Sequence, residues 1–545
     1  MAGRFPRRAE AEDSITLAAS VSEITPSAFA KEFGDNEAMR KLNLPIAISG
    51  AADMASNGDI TAANLTVDLG KGEFYAPWDK KHPAAIDSGT INVRYSKEND
   101  RIDLEPSYLS WAKSRMELAG VAMRDRGADG AGLWNFEIRS PKMTVDSEEF
   151  QLAAIDIDTL TVKGSYNPAI KSVALDQFLL KGGDSSISLK GKLGATRESG
   201  GVNIEGAFSP MPLTFAKRVW PKFIAHGARE WVGKNMSTGR IDSGVVRIVL
   251  TPDIIENLKN EGDVPSEAVL FRADMSGLTM GHIKGLPPIK AARASATVQG
   301  RRFVFDAPEE SVIDLPSGAK VFLNSGQFIV GDLRPRVPYG EIHFKASGAV
   351  GAVEELLDTE PLAYVRKAGF ERNKVSGKTA ATFSIGIPMK KDLGFSDLSI
   401  RGKTRVEDMR AKNIDGPIGV SGGVLVFDVT EKAIEAQGEL KLNGVPIQLA
   451  WQRIFDAPAE YQPRIRLRGV LNEKAREELG LPVNHIVKGD ITAELSITPR
   501  KDASPAISVE ADLANADILV SGIGWRKPPG PVSYTHLTLP TNREV

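Results

Sequence analysis

The run Ser376-Gly377-Lys378-Thr379 is the clearest candidate for chemistry, because it matches the end of a phosphate-binding loop. That loop needs a glycine five residues before Gly377, where this chain has Arg372, and it must open a helix. The residues after Thr379 alternate between apolar and polar instead, as in a strand. The run therefore predicts a strand rather than a nucleotide site.

Six histidines stand too far apart to form a pair at metal-ligand spacing: His82, His226, His282, His343, His485 and His536. We predict His343 on the outer face of a strand and His226 as a packing or surface residue of a helix. Asp156 and Asp158 share one face of an apparent strand and could bind a cation. Acids solvated on an outer face account for the same pattern.

No familiar catalytic motif occurs in the chain. It has no cysteine, which excludes thiolate catalysis, disulfides and cysteine-based metal sites. His-Glu-x-x-His is not found. We predict no catalytic residue, no metal and no cofactor, and a protein that is not an enzyme. An active site dispersed over the fold stays open as an alternative.

Aromatic and basic residues mix in one segment. Trp220 and Trp231 lie in a mixed basic and apolar stretch that contains Lys217, Arg218, Lys222 and Arg229. Such a mixture is typical of a membrane interface, but core packing with a solvated charged face explains it equally simply. We favour core packing.

Composition places the chain among folded proteins. Of its 545 residues, 42% are hydrophobic and 25% are charged, and 68 Lys and Arg against 70 Asp and Glu leave a net charge of −2. A nucleic-acid-binding protein usually has a basic excess, so we predict no nucleic-acid partner. No stretch of 18 uncharged, mainly apolar residues predicts a membrane-spanning helix.

Alternation at period two dominates the chain and predicts strands with one apolar face. It is clear in 91–95, 134–139, 155–158, 341–345, 464–468 and 491–497. Turn-forming clusters at 56–59, 181–184 and 199–201 separate such runs. Strands that follow one another without intervening helices pair with their neighbours in antiparallel fashion.

Helical patterns are few and short. We predict helices at 215–236 with a break at Pro221, and at 253–260, 352–357, 363–368 and 473–479. Three strands follow such a helix and begin after Gly239, Gly377 and Gly489, and each is followed by a proline. This order is either a loose repeat or three ordinary helix–strand junctions.

The two ends raise questions of their own. The first residues are basic, as in a signal sequence, but Glu10, Glu12 and Asp13 stand where its apolar core should begin. At the other end, Val532–Leu537 is what a common sequencing-library transposon end encodes in one reading frame. We therefore expect residues 532–545 to be translated adapter, and the chain to be a fragment of a longer gene.

Two segments resemble a known family. Phe208–Pro221 and Ala228–Ile241 are similar to the central region of AsmA-like proteins of the YhdP type, in which a short helical pair with a tryptophan leads into a strand. Ala511–Asp517 and Gly524–Gly530 resemble later repeats of the same family. The likeness covers about residues 40 to 531 and includes no catalytic residue.

The resemblance implies a periplasmic protein anchored in the inner membrane of a Gram-negative bacterium. The family is similar to TamB and to the chorein-like bridge proteins, whose long β-sheets curl into grooves that carry phospholipid acyl chains between membranes. It implies phospholipids as ligands, a missing N-terminal anchor, and partners in the outer membrane or envelope. The sequence lacks that anchor.

The predicted fold is mainly β: a long, twisted antiparallel sheet that curls into a hydrophobic groove, with a few short helices. We divide it into an N-terminal groove segment (1–205), a central AsmA/YhdP-like module (206–400) with a helical pair at 213–236, further groove repeats (401–531) and the adapter tail (532–545). The predicted groove-lining residues are Trp134, Phe136, Ile138, Ile342, Phe344, Phe383, Ile385, Ile387, Ile491, Leu495 and Ile497. Their neighbours Asn135, Glu137, Thr492 and Glu494 are predicted to face water.

These patterns predict that the protein binds phospholipid acyl chains along the groove and conducts them passively in inner-to-outer membrane lipid transport. Acyl chains need only an apolar lining, which agrees with the lack of catalytic motifs. The alternative is a structural or assembly protein of the cell envelope, built from β-sandwich domains with dry, closed cores.

Overall fold

The computed structural model describes residues 15–30, 37–75, 83–125, 132–147, 152–194, 197–221, 224–259, 262–281, 285–360, 362–367, 374–394, 397–411, 419–455, 464–500, 503–530 and 535–537. The described chain is mainly β, with long antiparallel sheet and a few short helices, which confirms the predicted fold class. It forms two compact units. The first comprises 1–279 and 295–301, and the second comprises 280–294 and 302–545.

The strands of the chain run in order as β1 (Ile15–Ile24), β2 (Leu42–Asn43), β3 (Ile46–Met54), β4 (Ile60–Leu69), β5 (Gly72–Phe74), β6 (Ala84–Ile86), β7 (Ser88–Ser96), β8 (Arg101–Trp111), β9 (Ser114–Asp125), β10 (Leu133–Ser140), β11 (Met143–Ser147), β12 (Leu152–Ile157), β13 (Thr159–Asn167), β14 (Ser172–Gly182), β15 (Ser185–Gly194), β16 (Val202–Phe208), β17 (Met211–Pro212), β18 (Met236–Leu250), β19 (Val269–Met280), β20 (Ile289–Gln299), β21 (Arg302–Ala307), β22 (Ser311–Asp314), β23 (Lys320–Val330), β24 (Tyr339–Ala349), β25 (Val375–Pro388), β26 (Ser399–Ala411), β27 (Val420–Thr430), β28 (Ala433–Leu442), β29 (Val445–Ile454), β30 (Arg464–Leu471), β31 (Val487–Lys488), β32 (Ile491–Arg500), β33 (Ala503–Asp512), β34 (Asp517–Val520), β35 (Trp525–Lys527) and β36 (Thr535–Leu537).

The helices are α1 (Pro26–Phe29), α2 (Glu37–Arg40), α3 (Leu213–Val219), α4 (His226–Asn235), α5 (Pro252–Lys259), α6 (Val350–Asp358), α7 (Tyr364–Lys367) and α8 (Glu473–Glu478). Every helix that the sequence predicts is present. The predicted break at Pro221 separates α3 from α4, because proline cannot donate to the helical hydrogen-bond ladder.

The first unit is built on one antiparallel ladder. Its strands pair in the order β1, β3, β4, β7, β8, β9, β10, β13, β14, β15, β16 and β18. Tight turns join neighbours where the sequence predicts them. Gly183, between β14 and β15, has a φ of 56°, which glycine adopts without a steric penalty.

The second unit repeats this plan. Its main ladder runs β21, β23, β24, β25, β26, β27, β28, β29, β30, β32 and β33. A small sheet of β31, β34 and β35 accompanies it. The predicted segment boundaries at 205/206 and 400/401 fall inside β16 and β26, so they do not coincide with the two compact units.

Within each unit, helices enter between strands mostly at one end of the ladder, which we call the covered end. In the first unit α1 and α2 lie between β1 and β3, and α3 and α4 precede β18. In the second unit α6 and α7 lie between β24 and β25, and α8 follows β30. The opposite end of each ladder is its open end, and of the described helices only α5 follows a strand there.

The three predicted helix–glycine–strand junctions are only partly alike. Gly239 in β18 and Gly377 in β25 have φ values of 145° and 154°, and each strand comes directly after a helix. In the third junction, the short strand β31 stands between α8 and β32. Two of the junctions therefore share a local geometry that the third lacks.

Candidate functional site

The polar residues that the sequence singles out lie apart from one another. Ser376–Thr379 belongs to β25 and pairs with β24 and β26, which confirms the strand prediction. His343 lies on the polar face of β24, where its Nε2 is 3.3 Å from Glu341 Oε2. Among the described residues, no group of three or more His, Asp or Glu could hold a metal ion. His82 and His282 lie outside the described residues.

Asp156 and Asp158 take part in separate local hydrogen bonds. Asp156 Oδ1 accepts from Thr144 Oγ1 at 2.8 Å, and Asp158 Oδ2 accepts from the Gly183 backbone N–H at 2.7 Å. Each carboxylate therefore holds a neighbouring strand or turn. Trp231 is 46% exposed, so the core-packing prediction is wrong for this residue. It follows the buried Arg229 by two residues and therefore lies on the other side of α4.

Cross-strand register brings apolar side chains into rows on one face of the first unit, which we call the first apolar face. The Phe136 row consists of Leu17, Ala52, Ala63, Tyr95, Ile102, Ala122, Phe136, Gly164, Leu175, Gly191, Ile204 and Ile248. The Ile138 row consists of Ala19, Gly50, Leu65, Val93, Leu104, Gly120, Ile138, Val162, Phe178, Leu189, Gly206 and Val246. Neither row contains a charged residue.

The predicted lining residues of β10 lie on this face. Trp134, Phe136 and Ile138 are all half-buried. Glycines stand opposite two of them: Gly164 faces Phe136, and Gly120 faces Ile138. A Cβ at Gly164 would lie 3.0 Å from the tip of the Phe136 ring. Glycines therefore give the large side chains room to lie across the neighbouring strands.

The second unit has an equivalent face, the second apolar face. Its Leu495 row consists of Val321, Gly348, Thr379, Val406, Leu425, Gly438, Leu449, Leu467, Leu495 and Val509. Its Ile497 row consists of Leu323, Ala346, Ala381, Thr404, Phe427, Ala436, Trp451, Ile465, Ile497 and Ile507. Neither row contains a charged residue.

The aromatic pair of β24 and β25 is the best-defined part of the second apolar face. Phe344 and Phe383 stand directly opposite each other and stack, with centroids 5.5 Å apart and planes 13° from parallel. Gly402 is the next residue across, and a Cβ there would lie 2.1 Å from the Phe383 ring. Glycine at 402 is thus required for this ring position.

The other predicted lining residues share the same face. Ile342 pairs with Ile385, and Ile387 pairs with Gly340. On β32, Leu495 and Ile497 are half-buried, whereas Ile491 is buried at the covered end. Of the predicted water-facing neighbours, Asn135 is exposed and Glu137, Thr492 and Glu494 are half-buried.

Helices close the covered end of both apolar faces. In the first unit, Phe215 of α3 shares a buried core with Met143, Ile157 and Leu180. In the second unit, Ala475 of α8 packs in one core with Ile447 and Leu471. Each apolar face therefore runs from a closed core at the covered end to partly exposed side chains at the open end.

Buried cations hold these covering helices, although the sequence analysis assigned Lys217 to a solvated charged face. Lys217 of α3 is 4% exposed, and its Nζ donates to the backbone carbonyls of Gly233 and Met236. Arg476 of α8 is 0% exposed and donates to backbone carbonyls of its own unit. A cation inside an apolar run is a usable sequence signal, but neither residue lies in one.

Lys217 predicts a pH dependence of stability. Burial lowers the pKa of the Lys217 ammonium below its ordinary value of 10.5. Between the two pKa values the unfolded chain binds more protons, so the free energy of unfolding rises as the pH rises towards 10.5. In Lys217→Met this increment is absent, and denaturant melts of both proteins across the alkaline range measure the difference.

Lys234→Met is the matched control, because Lys234 lies on α4 of the same unit and its side chain is 68% exposed. We expect this variant to keep the pH profile of the unaltered protein. A Lys217→Met profile parallel to that of the unaltered protein would contradict the assignment.

The opposite face of each ladder is charged and paired. Lys163 Nζ lies 3.3 Å from Glu137 Oε2, and Lys190 Nζ lies 2.9 Å from Glu205 Oε1. The hydrogen bond from Lys190 lowers the pKa of the Glu205 carboxyl. In the second unit, a cleft of about 590 Å³ is lined mostly by polar-face residues of β23–β27, among them Lys345, Arg401 and Lys403. Phe344, Phe383 and Gly402 of the second apolar face also line it.

No family model matches the chain, and neither a curated protein nor a solved structure matches it. No helix among the described residues is long and apolar enough to cross a membrane. The candidate site is therefore defined by its geometry alone: two apolar faces, each covered at one end and partly exposed at the other.

Proposed function

We propose that the protein binds phospholipid acyl chains along its apolar faces and lets them move passively from strand to strand. The observation that carries this proposal is the set of uncharged rows, which cross every strand of the main ladder in the first unit and every strand but β21 in the second. An acyl chain gains about 0.8 kcal/mol for each methylene it buries. Because no step along a row carries a charge, an acyl chain meets no desolvated ion on its path, which favours sliding over tight binding at one place.

Partial exposure of these rows supports lipid binding over the β-sandwich alternative. A sandwich covers the apolar face of one sheet with a second sheet of similar size. In the described part of the chain, the other sheets have only three strands each. Trp134, Phe136, Leu495 and Ile497 stay half-buried, as expected of side chains that contact a removable ligand.

The cellular role is proposed from the resemblance to AsmA-like proteins of the YhdP type. We place the protein in the periplasm, in phospholipid transport from the inner to the outer membrane, with an inner-membrane anchor outside this sequence and envelope proteins as partners. The charged, ion-paired opposite face suits an aqueous compartment, since it is well solvated and needs no further cover.

Lipid extraction followed by mass spectrometry tests the proposal. The full chain is purified beside a control protein that is handled in the same detergent. We expect several phospholipids per chain, because each row is longer than a single lipid. A folded, monodisperse sample that carries no more lipid than the control would favour the structural or assembly role instead.

A further inference from the structure

A row of hydrogen-bond donors marks the open end of the first apolar face. Arg124 of β9 stands directly opposite Trp134 of β10, and Trp134 stands directly opposite Tyr166 of β13. Residues that face each other across antiparallel strands point to the same side of the sheet. A guanidinium, an indole N–H and a phenol therefore line up on the apolar side, one step beyond the Phe136 row.

All three side chains are open to a ligand. Arg124 is exposed, Tyr166 is 37% exposed and Trp134 is half-buried. Gly132 gives Arg124 its space: a Cβ at that position would lie 2.6 Å from Arg124 Nε. Gly132 also has a φ of 53°, which other residues adopt at a cost. No side-chain hydrogen bond or ion pair joins any of the three donors to another described residue.

Along the strands, the side chains become apolar from this donor row towards the covered end. The next two rows towards the covered end are the Phe136 and Ile138 rows, which hold no charge. Trp134 and Ile138 are four residues apart, or about 13 Å along a strand. Half of a bilayer's hydrocarbon core is about 15 Å thick. The apolar width between the donor row and the core under α3 thus matches the length of an acyl chain in a membrane leaflet.

We propose that Arg124, Trp134 and Tyr166 bind the phosphate and ester region of a glycerophospholipid whose acyl chains lie across the first apolar face towards α3. Arg124 donates charge-assisted hydrogen bonds to the phosphate. Trp134 and Tyr166 place their apolar rings against the part of the acyl chains nearest the glycerol. Their donors lie near the ester oxygens, as those of aromatic residues do at membrane interfaces. This inference rests on the proposed function and adds to it a fixed orientation of the lipid.

The second unit also has a tryptophan and an arginine on its apolar face. Trp451 and Arg453 alternate on the apolar face of β29, close to its open end at Ile454. Trp451 belongs to the Ile497 row, and Arg453 stands opposite Ile434. Both ladders therefore place an arginine and a tryptophan near the open end of the apolar face, in one cross-strand row in the first unit and along one strand in the second.

Binding of three probes to the full chain tests the site. The probes are dioleoylphosphatidylglycerol, dioleoylglycerol, which has the same chains without the phosphate, and inorganic phosphate. We expect Arg124→Gln to weaken phosphatidylglycerol binding about tenfold, the effect of losing one charge-assisted contact, and to leave dioleoylglycerol binding unchanged. Arg124→Lys should fall between the two, because it keeps the charge but loses the planar fork.

Arg139→Gln is the matched control, since Arg139 is an exposed arginine on the polar face of β10, the strand that pairs with the strand of Arg124. It should bind all three probes as the unaltered protein does, and circular dichroism melts should agree for all variants. Equal phosphatidylglycerol affinity in Arg124→Gln and the unaltered protein would overturn the phosphate site but leave acyl-chain binding standing. Inorganic phosphate that binds as tightly as the lipid would overturn it in favour of a free-anion site. If the unaltered protein binds neither lipid, both this inference and the proposed function fail.

Discussion

Leu495→Asp should lower the phospholipid carried by the purified chain by at least about tenfold. Leu495 is half-buried and stands between Leu467 and Val509 in an uncharged row. A carboxylate there would have to lose water each time an acyl chain passes over it, and burying an unpaired charge costs several kcal/mol. Mass spectrometry of extracted lipid, normalised to protein, measures the loss.

Ser496→Asp is the control for this variant. Ser496 is the next residue of β32, so it points to the opposite face, where it stands across from Arg466. The same charge is introduced one residue away, and we expect lipid content to stay unchanged. Equal lipid content in Leu495→Asp and Ser496→Asp, with both proteins folded, would remove the row from the proposed path. Phe383→Asp, at the stacked pair with Phe344, repeats the test at a distant point of the same face.

Arg476→Met should cost about 3 kcal/mol of local stability. Arg476 Nη1 donates to the carbonyls of Leu471 at 2.8 Å and Gly489 at 2.7 Å, and Nη2 donates to that of Val487 at 2.9 Å. Its Nε donates to Asn484 Oδ1 at 2.6 Å. Methionine fills similar space but leaves these acceptors buried without a donor, and each such acceptor costs about 1–3 kcal/mol.

Hydrogen exchange reports this effect where it arises. Amides of 471–491 should exchange faster in Arg476→Met, because α8 and β31 then detach from the covered end of the ladder. Lys474→Met on the same helix is the control, since Lys474 is 82% exposed and should change exchange by little. Unchanged protection of this segment in Arg476→Met would show that apolar packing of Ala475 and its neighbours holds the helix by itself.

Local structure follows closely from the sequence of this protein. The alternating runs at 91–95, 134–139, 341–345, 464–468 and 491–497 all form strands, because an apolar residue at every second position gives a strand one face to bury. Turns form where glycine tolerates positive φ, as at Gly183. The short helices also form as predicted. These features depend on contacts between near neighbours in the chain.

The register between paired strands was open at the level of sequence. That Phe383 meets Phe344 on one side and Gly402 on the other depends on the register of three strands, and a shift of one residue would turn every side chain to the other face. The division into two compact units was also open at the level of sequence, since the strands look alike on both sides of any boundary. The burial of Lys217 and Arg476 was open as well, since their hydrogen-bond acceptors are backbone carbonyls, which have no sequence signature.

Sequence by itself determined that this chain is an antiparallel β protein with one apolar face to each strand, and tertiary structure decided what those faces make together. Residues such as Trp134, Phe136 and Leu495 could be assigned to the apolar side from period two alone. Contacts between residues far apart in the chain join these side chains into continuous uncharged rows. Such contacts also produce the cover over one end and the donor row of Arg124 at the other. Such contacts are fixed by packing and register, which no local pattern encodes.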